Sequence, residues 1–342
     1  MQIEQKGIFF LYIIHKRVSI VYMTTHENII RFLKFRKKTR LFRGFPFCRK
    51  TDTMKGTKHG DGGSFMKRNT IRIASIQLAQ KATKAETYAH IRALVSTIPD
   101  GAADLLMLPE MWNGPYESRL FPTFAEPEDG PSRLFLSALA KERHVYLCGG
   151  SIAEREGDRV YNTAYVFDPE GTLIAKHRKM HLFDIDVAGG QRFFESDTLS
   201  PGNSVTVFPT VFCTVGLCIC YDLRFPELAR LTVDAGAKVL LVPAAFNMTT
   251  GPAHWELLFR ARAVDNQIYT VGVAPARDPD ASYQSWGHSI VCSPWGEVLM
   301  QMDEKEGVAV TELDLDRVEQ VRGAVPVLKQ RRTDVYRLEL QP

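Results

Sequence analysis

The sequence lacks any uninterrupted apolar run of the roughly 18–20 residues that a membrane-spanning helix needs. Its apolar stretch at residues 7–22 is broken by Lys16 and Arg17, which argues against stable membrane insertion. Cysteine is sparse: Cys48, Cys148, Cys213, Cys218, Cys220 and Cys292 show no dense pairing pattern, and several sit in strand-like apolar runs. That excludes a disulfide scaffold and points to free thiols in a reducing compartment. No G-x-G-x-x-G, Walker loop, H-E-x-x-H or G-x-S-x-G is present, so dinucleotide, P-loop, zincin and serine-elbow chemistry find no support. Neither an internal repeat nor a heptad seam is visible. What remains is a globular composition, 45% apolar over 342 residues, enough to bury one large core.

Charge is unevenly placed. Residues 1–70 hold 16 Lys and Arg against 4 Asp and Glu, leaving 27 against 35 for the rest, so the small net charge of +4 joins a basic extension to an acidic body. The body therefore gives no reason to expect nucleic acid as its ligand. Residues 31–50 are basic, aromatic and free of acids, which fits a mitochondrial-type presequence or a surface-binding amphipathic piece. Equally, residues 1–70 read as disordered or as sequence upstream of a later start at Met54 or Met66, with KHGDGGSFM as a flexible join. The expected division is a basic extension, 1–70, and a folded domain, 71–342. The expected location is cytoplasmic, or mitochondrial if the extension is a genuine presequence. In a reducing interior the sequon Asn247-Met248-Thr249 is chance.

From Arg72 onward, short runs of Val, Ile and Leu alternate with amphipathic segments of about twelve residues. Strands are predicted at 71–77, 104–108, 145–151, 160–168, 172–177, 211–218, 239–242, 268–273, 289–292, 298–302 and 307–313. Helices are predicted at 84–98, 131–143, 225–235, 253–266 and 314–321. Asp-Pro-Glu-Gly at 168–171 and Pro-Trp-Gly-Glu at 294–297 separate paired strands, giving a mixed, layered α/β fold.

Three strand ends carry chemistry. In VGLCICYDLRFPE (215–227) an apolar strand stops at Cys220 before a helix after Pro226, placing a thiol on an elbow where the following N–H groups, Tyr221 first, are free to donate to an oxyanion. In LPEMW (108–112) a strand run stops at Pro109 and sets Glu110 at its C-terminal end, where ligands of α/β sheets gather. In KHRKMHLFDID (176–186) Lys179 follows a strand amid ionisable groups. Alone, Cys220 reads better as a core thiol, Glu110 as a solvated acid and Lys179 as a solvated base. His177, His181 and Asp184 permit a metal reading, but no further ligands stand at zinc-like spacing. Together, base, oxyanion stabiliser and nucleophile are what amide cleavage through a thioester requires.

LPEMW, RKMHLFDID and GLCICYDLRFPE resemble the catalytic signatures of the nitrilase superfamily, and the likeness runs over nearly all of 71–340. Within it the chain most resembles the ω-amidases, through FFESDTLSPG, AAFNMTTGPAHWELLFRARAVDNQ, APARD, WGHS and SPWGEV. The resemblance implies a four-layer α-β-β-α sandwich whose protomers pair across a helical face into a homodimer. It implies a triad of Glu110 as general base, Lys179 as oxyanion stabiliser and Cys220 as nucleophile, with Glu195 as an auxiliary acid. The implied substrate is a small carboxylated amide, a 2-oxo dicarboxylic acid monoamide, handled without metal or organic cofactor. Arg224, Asn247, Thr249 and Thr250 are the candidates for holding it, although Asn247 also reads as a cap on the exit of the strand at 239–242. Related branches acting on deaminated glutathione or N-carbamoyl amino acids would carry the same triad, and a non-catalytic scaffold on this fold is the alternative of another class. Cys218 stands where ω-amidases usually carry a small residue; strand alternation puts it on the same face as Cys220, as packing.

Overall fold

Alternation of apolar residues along the strands decides the layering. In Thr70–Gln77, Ile71 and Ile73 enter one core while Ala74 and Ile76 enter another; in Leu105–Met107 the same split separates Leu105 and Met107 from Leu106. A strand buried on both faces in this way must be covered on both sides. The structure, a computed structural model, describes residues 8–14, 17–23, 69–189 and 191–340, and falls into two units, Met1–Ser64 and Phe65–Pro342. In the first, β1 (Ile8–Ile14) pairs antiparallel with β2 (Arg17–Met23), where no strand is predicted from the sequence. The basic stretch 31–50 and the candidate starts Met54 and Met66 lie outside the described residues.

The second unit holds two sheets. The first contains β3 (Thr70–Gln77), β4 (Leu105–Met107), β5 (Tyr146–Cys148), β6 (Ile152–Glu156), β7 (Arg159–Phe167) and β8 (Leu173–Arg178). A short hairpin, β9 (Asp184–Asp186) with β10 (Arg192–Phe194), separates it from the second sheet, which contains β11 (Thr206–Pro209), β12 (Thr214–Leu217), β13 (Val239–Pro243), β14 (Tyr269–Val273), β15 (Ile290–Cys292) and β16 (Val298–Gln301). The last strand, β17 (Gly307–Asp314), returns to pair with β3, so the first sheet runs β17-β3-β4-β5-β7-β6 with β8 also on β7. Pairing within β3-β4-β5 and within β12-β13-β14 is parallel. The C-terminal ends of parallel strands are where α/β proteins place their sites.

Helices α1 (Lys84–Ser96) and α3 (Pro131–Arg143), with the short α2 (Phe121–Phe124) between them, belong to the first sheet's side; Ile91, Val95, Phe135, Leu136 and Leu139 pack on its outer face. Helices α4 (Pro226–Asp234) and α5 (Gly251–Asn266) cover the second sheet through Leu228, Val233, Trp255, Phe259 and Ala263, and α6 (Asp316–Ala324) closes the chain. Residues from both sheets, among them Ile73, Met107, Val166, Leu217 and Leu241, share one core. The order is therefore helix, sheet, sheet, helix, the four-layer α/β sandwich expected. Gly272 on β14 shows how close the last two layers come, since a Cβ there would enter the Phe259 ring. The five cysteines among the described residues are free, as their spacing predicts.

Candidate active site

Three strand ends meet between the sheets. After β4, Pro109 has no N–H to extend the ladder; its carbonyl accepts from Ser151 N–H at 3.1 Å, and the next residue, Glu110, is released from the sheet. Met111 then takes a left-handed conformation, φ 50°, fixed by its N–H donating to Ser151 Oγ at 3.1 Å. Gly150, φ +63°, lies against the Pro109 carbonyl so closely that a side chain has no place. After β8, the Lys179 N–H donates to Asn162 O at 2.9 Å and its own carbonyl accepts from Gly202 N–H at 2.8 Å. After β12, Cys218 N–H donates to Leu241 O of β13, and Cys220 turns left-handed at φ 47° to open a short 3-10 turn, Cys220–Arg224. A non-glycine residue held there is strained backbone, a feature that concentrates at functional sites.

The strand therefore ends at Leu217, and alternation does not carry through to Cys220. Cys218 is core, as expected, but because it lies against β13 and not because it shares a strand face with Cys220.

The side chains converge without solvent. Glu110, Lys179, Glu195 and Cys220 are all buried. Lys179 Nζ donates to Glu110 Oε1 at 2.9 Å and to Glu195 Oε1 at 2.9 Å, with Glu195 Oε2 at 2.8 Å. Glu110 Oε1 also accepts from Asn162 Nδ2 at 2.8 Å, and Oε2 accepts from the Ala245 N–H, just past β13, at 2.8 Å. Glu195, in the turn Glu195–Asp197 after β10, accepts from the Phe183 N–H at 2.7 Å and from the Tyr116 hydroxyl at 3.0 Å. A buried ammonium between two buried carboxylates is stable only with such a complete set of donors.

Electrostatics set the resting protonation. Burial pulls Lys179 down, but the charges of Glu110 and Glu195 outweigh it and hold the ammonium above its ordinary value. Burial, helped by the Glu110 charge and a hydrogen bond to the same carboxylate, pushes the Cys220 thiol well above its ordinary value, and Lys179 does not offset this. Lys179 favours the thiolate in sign only, its charge being outweighed by burial and Glu110. At neutral pH Cys220 is therefore a neutral thiol beside Glu110, and a reaction through its sulfur would need that proton to leave during attack.

Comparison with known proteins gives the family. The model of the family described as Carbon-nitrogen hydrolase matches residues 72–323. The chain belongs to the carbon–nitrogen hydrolase family. It is similar to the omega-amidase NIT2 of Mus musculus, 49% identical over 79% of this chain and 98% of that one. Among solved structures it is similar to Nit3 of Saccharomyces cerevisiae, a member of branch 10 of the nitrilase superfamily, with 40% identity, a TM-score of 0.70 and coverage of 77% and 97% of the two chains. It is also similar to an amidase of Nesterenkonia sp. AN1, 25% identical with a TM-score of 0.65 over 78% and 95%, in which the acetamide moiety of fluoroacetamide is covalently added at the active-site cysteine.

In this carbon–nitrogen hydrolase a cavity of about 580 Å³ reaches the cluster at Glu110, lined also by Tyr116, Ala245, Tyr283, Lys81 and Asp278. Cys220, Lys179 and Glu195 stand behind that lining. The Tyr221 N–H takes no acceptor among the described residues, as an oxyanion donor requires. Arg224 is partly buried and forms no ion pair among the described residues: Nη1 meets His254 Nδ1 at 3.1 Å, Nε has no partner, and the guanidinium lies 4.9 Å from the Phe246 ring centre. Burial pulls Arg224 below its ordinary value, and burial with the Arg224 charge lowers His254.

The other candidate binders turn inward. Asn247 Oδ1 accepts from Thr249 N–H at 3.1 Å, Thr250 N–H at 2.8 Å and Thr250 Oγ1 at 3.0 Å, and Nδ2 donates to Gln191. Asn247 thus caps the loop that follows it, and burial of its amide leaves the sequon no access to a glycosylating enzyme. None of Arg224, Asn247, Thr249 and Thr250 is in the cavity's lining.

No group of His, Cys, Asp and Glu suited to a metal occurs among the described residues. His177 and His181 both bond Asp222, not Asp184, which accepts from Ser196 N–H. Sequence reasoning missed Asn162, Tyr116, Tyr283 and Asp222 as members of the site. Asp222 lay inside a motif already singled out; the other three carried no signal in spacing.

Proposed function

We propose that this carbon–nitrogen hydrolase is an ω-amidase, hydrolysing the terminal amide of 2-oxo dicarboxylic acid monoamides such as 2-oxoglutaramate and 2-oxosuccinamate. The observation that carries the substrate class is Arg224: a partly buried cation in the turn of the nucleophile, with no carboxylate partner among the described residues. A substrate carboxylate supplies the missing partner. The omega-amidases that resemble the chain over almost their whole length support the same reading.

The chemistry follows from the resting state. Glu110 takes the Cys220 proton as Sγ attacks the amide carbon, and the carbonyl oxygen becomes an oxyanion held by Lys179 and the Tyr221 N–H. Two of the three ammonium protons are engaged by Glu110 and Glu195, leaving one for the oxyanion. The tetrahedral species collapses, the carbon–nitrogen bond breaks, and Glu110 returns the proton to the departing nitrogen as ammonia. Water then attacks the thioester, giving its proton to Glu110, and the Cys220 thiol re-forms as the acid leaves. Every proton is accounted for by Glu110 and water, and no cofactor enters.

Turnover of 2-oxoglutaramate, deaminated glutathione and 3-ureidopropionate on one preparation tests this reading. The first is expected to have the highest kcat/KM; preference for either of the others overturns the substrate assignment. The protein acts as a homodimer in this proposal, supported by the exposed apolar residues Leu257 and Val264 on α5. Light scattering after gel filtration at micromolar concentration checks it, and a monomer refutes it. A cytoplasmic location is proposed, becoming mitochondrial if residues 1–70 direct import; sequencing the mature N-terminus decides between them.

A further inference from the structure

Lys179 and Cys220 must face one carbonyl oxygen from opposite sheets, and the buried Asp222 lies between their segments. Its carboxylate accepts four hydrogen bonds. Oδ2 takes the Ile219 N–H at 3.0 Å and His177 Nε2 at 3.1 Å; Oδ1 takes the His181 N–H at 2.9 Å and His181 Nδ1 at 2.8 Å. His177 and His181 each stand two residues from Lys179, one on either side, while Ile219 immediately precedes Cys220. One carboxylate thus clamps both flanks of the lysine to the elbow of the nucleophile.

We infer that Asp222 is a positioning residue, fixing the Lys179 ammonium opposite Cys220 so that the oxyanion forms within reach of both. The surrounding contacts fit that task. His177 Nδ1 is closed by Thr206 Oγ1 at 2.9 Å, so the ring presents its other nitrogen to Asp222 in one orientation. His181 stacks on Phe225 with ring centres 3.6 Å apart, tying the same residue to the end of the 3-10 turn. Burial pushes Asp222 up, yet the two histidines and the Ile219 N–H bring it well below the usual carboxylate range, so it remains an acceptor at working pH. Asp222 bonds none of Lys179, Glu110 or Glu195 directly, so its influence passes through the backbone on either side of Lys179.

The inference rests on the thioester reading above, and its test separates the two. In Asp222→Asn the volume is kept, but the amide nitrogen can accept neither of the two bonds on the side it occupies, Ile219 N–H and His177 on one side or the two from His181 on the other. Misplacing a reacting group by about 1 Å costs on the order of 10²-fold. The folded Asp222→Asn protein should lose roughly 10- to 100-fold in kcat on 2-oxoglutaramate while KM stays within about threefold. The rate at which iodoacetamide alkylates Cys220, which needs the thiol and its base but not the lysine, should stay within about threefold. His181→Gln removes one side-chain bond and leaves the backbone N–H bond in place; it keeps the inference testable if Asp222→Asn fails to fold, with a smaller kcat loss in the same direction. Wild-type kcat in either folded variant overturns the inference, as does an alkylation rate that falls in step with kcat. Failure of the wild-type protein to turn over any of the three amides would instead strike the thioester reading.

Discussion

Replacing Arg224 with methionine tests the substrate assignment most directly. The side chain sits against Phe246 and Tyr221 with Nη1 on His254, so an unbranched apolar chain refills much of the space while removing the charge. Truncating one partner of a buried, hydrogen-bonded charge pair costs about 2–5 kcal/mol. Arg224 is only partly buried and Asn162-like enclosure is missing, so the lower part of that range, about 2–3 kcal/mol, applies. At about 1.4 kcal/mol per tenfold, kcat/KM for 2-oxoglutaramate should fall roughly 30- to 150-fold. A neutral amide such as butyramide has no carboxylate to lose, so its kcat/KM should change by less than about threefold. Inhibition by the dicarboxylate product should weaken by the same factor as the substrate loses. Steady-state kinetics on the two amides, with the melting temperature recorded alongside, provides the comparison. Equal losses on both amides would make Arg224 a structural residue, and no loss on either would remove it from the site.

Further outcomes follow from the same geometry. Because burial and Glu110 raise the Cys220 thiol above its ordinary value, the thiolate fraction should grow about tenfold per pH unit until that raised value is reached. Alkylation of the resting protein by iodoacetamide should therefore keep rising through pH 9, and a plateau near neutrality would show a resting thiolate instead. Asn162→Leu removes one of the donors to Glu110, a bond to a charged group worth about 1.5–3 kcal/mol; kcat should fall roughly 10- to 100-fold with little change in KM. A normal kcat in a folded Asn162→Leu protein would exclude that role. Gly150→Ala forces a Cβ onto the Pro109 carbonyl at positive φ. The loop that carries Glu110 must then shift, and activity should be lost with the melting temperature lowered; a fully active variant would refute the close approach.

The strand ends at Glu110, Lys179 and Cys220 were legible because each closes an apolar run, and composition alone marks where such runs stop. Their convergence was not, since they come from two sheets and from positions 110 residues apart. Glu195 has no periodic signal: it follows a three-residue strand in a short turn, and its burial makes sense only once Lys179 is beside it. Only the family resemblance pointed to it. Strand β6 was missed because IAERE reads as a charged surface, yet Glu154 is buried against Lys176, Arg178 and Thr163. The β9–β10 hairpin and β11 were too short to show a period. His177 and His181 suggested a metal because their partner, Asp222, lies more than forty residues away in sequence.

The seam between the sheets explains why the site combines a silent thiol with a complete polar shell. Glu110 and Lys179 come from the first sheet, Cys220 and the Ala245 N–H from the second, and Glu110 bonds to groups of both. Burial there makes every unpaired charge costly, so Lys179 is tolerated only between two carboxylates and Glu110 only with its donors from Asn162, Lys179 and Ala245. In the proposed mechanism the same burial keeps Cys220 protonated until a substrate carbonyl arrives to accept the charge that leaves sulfur. Attack then moves negative charge from Glu110 toward an oxygen facing Lys179 and the Tyr221 N–H, so the shell stabilises the reacting state more than the resting one. A site solvated enough to hold a resting thiolate would stabilise the ground state instead, and that difference is what the pH dependence of alkylation measures.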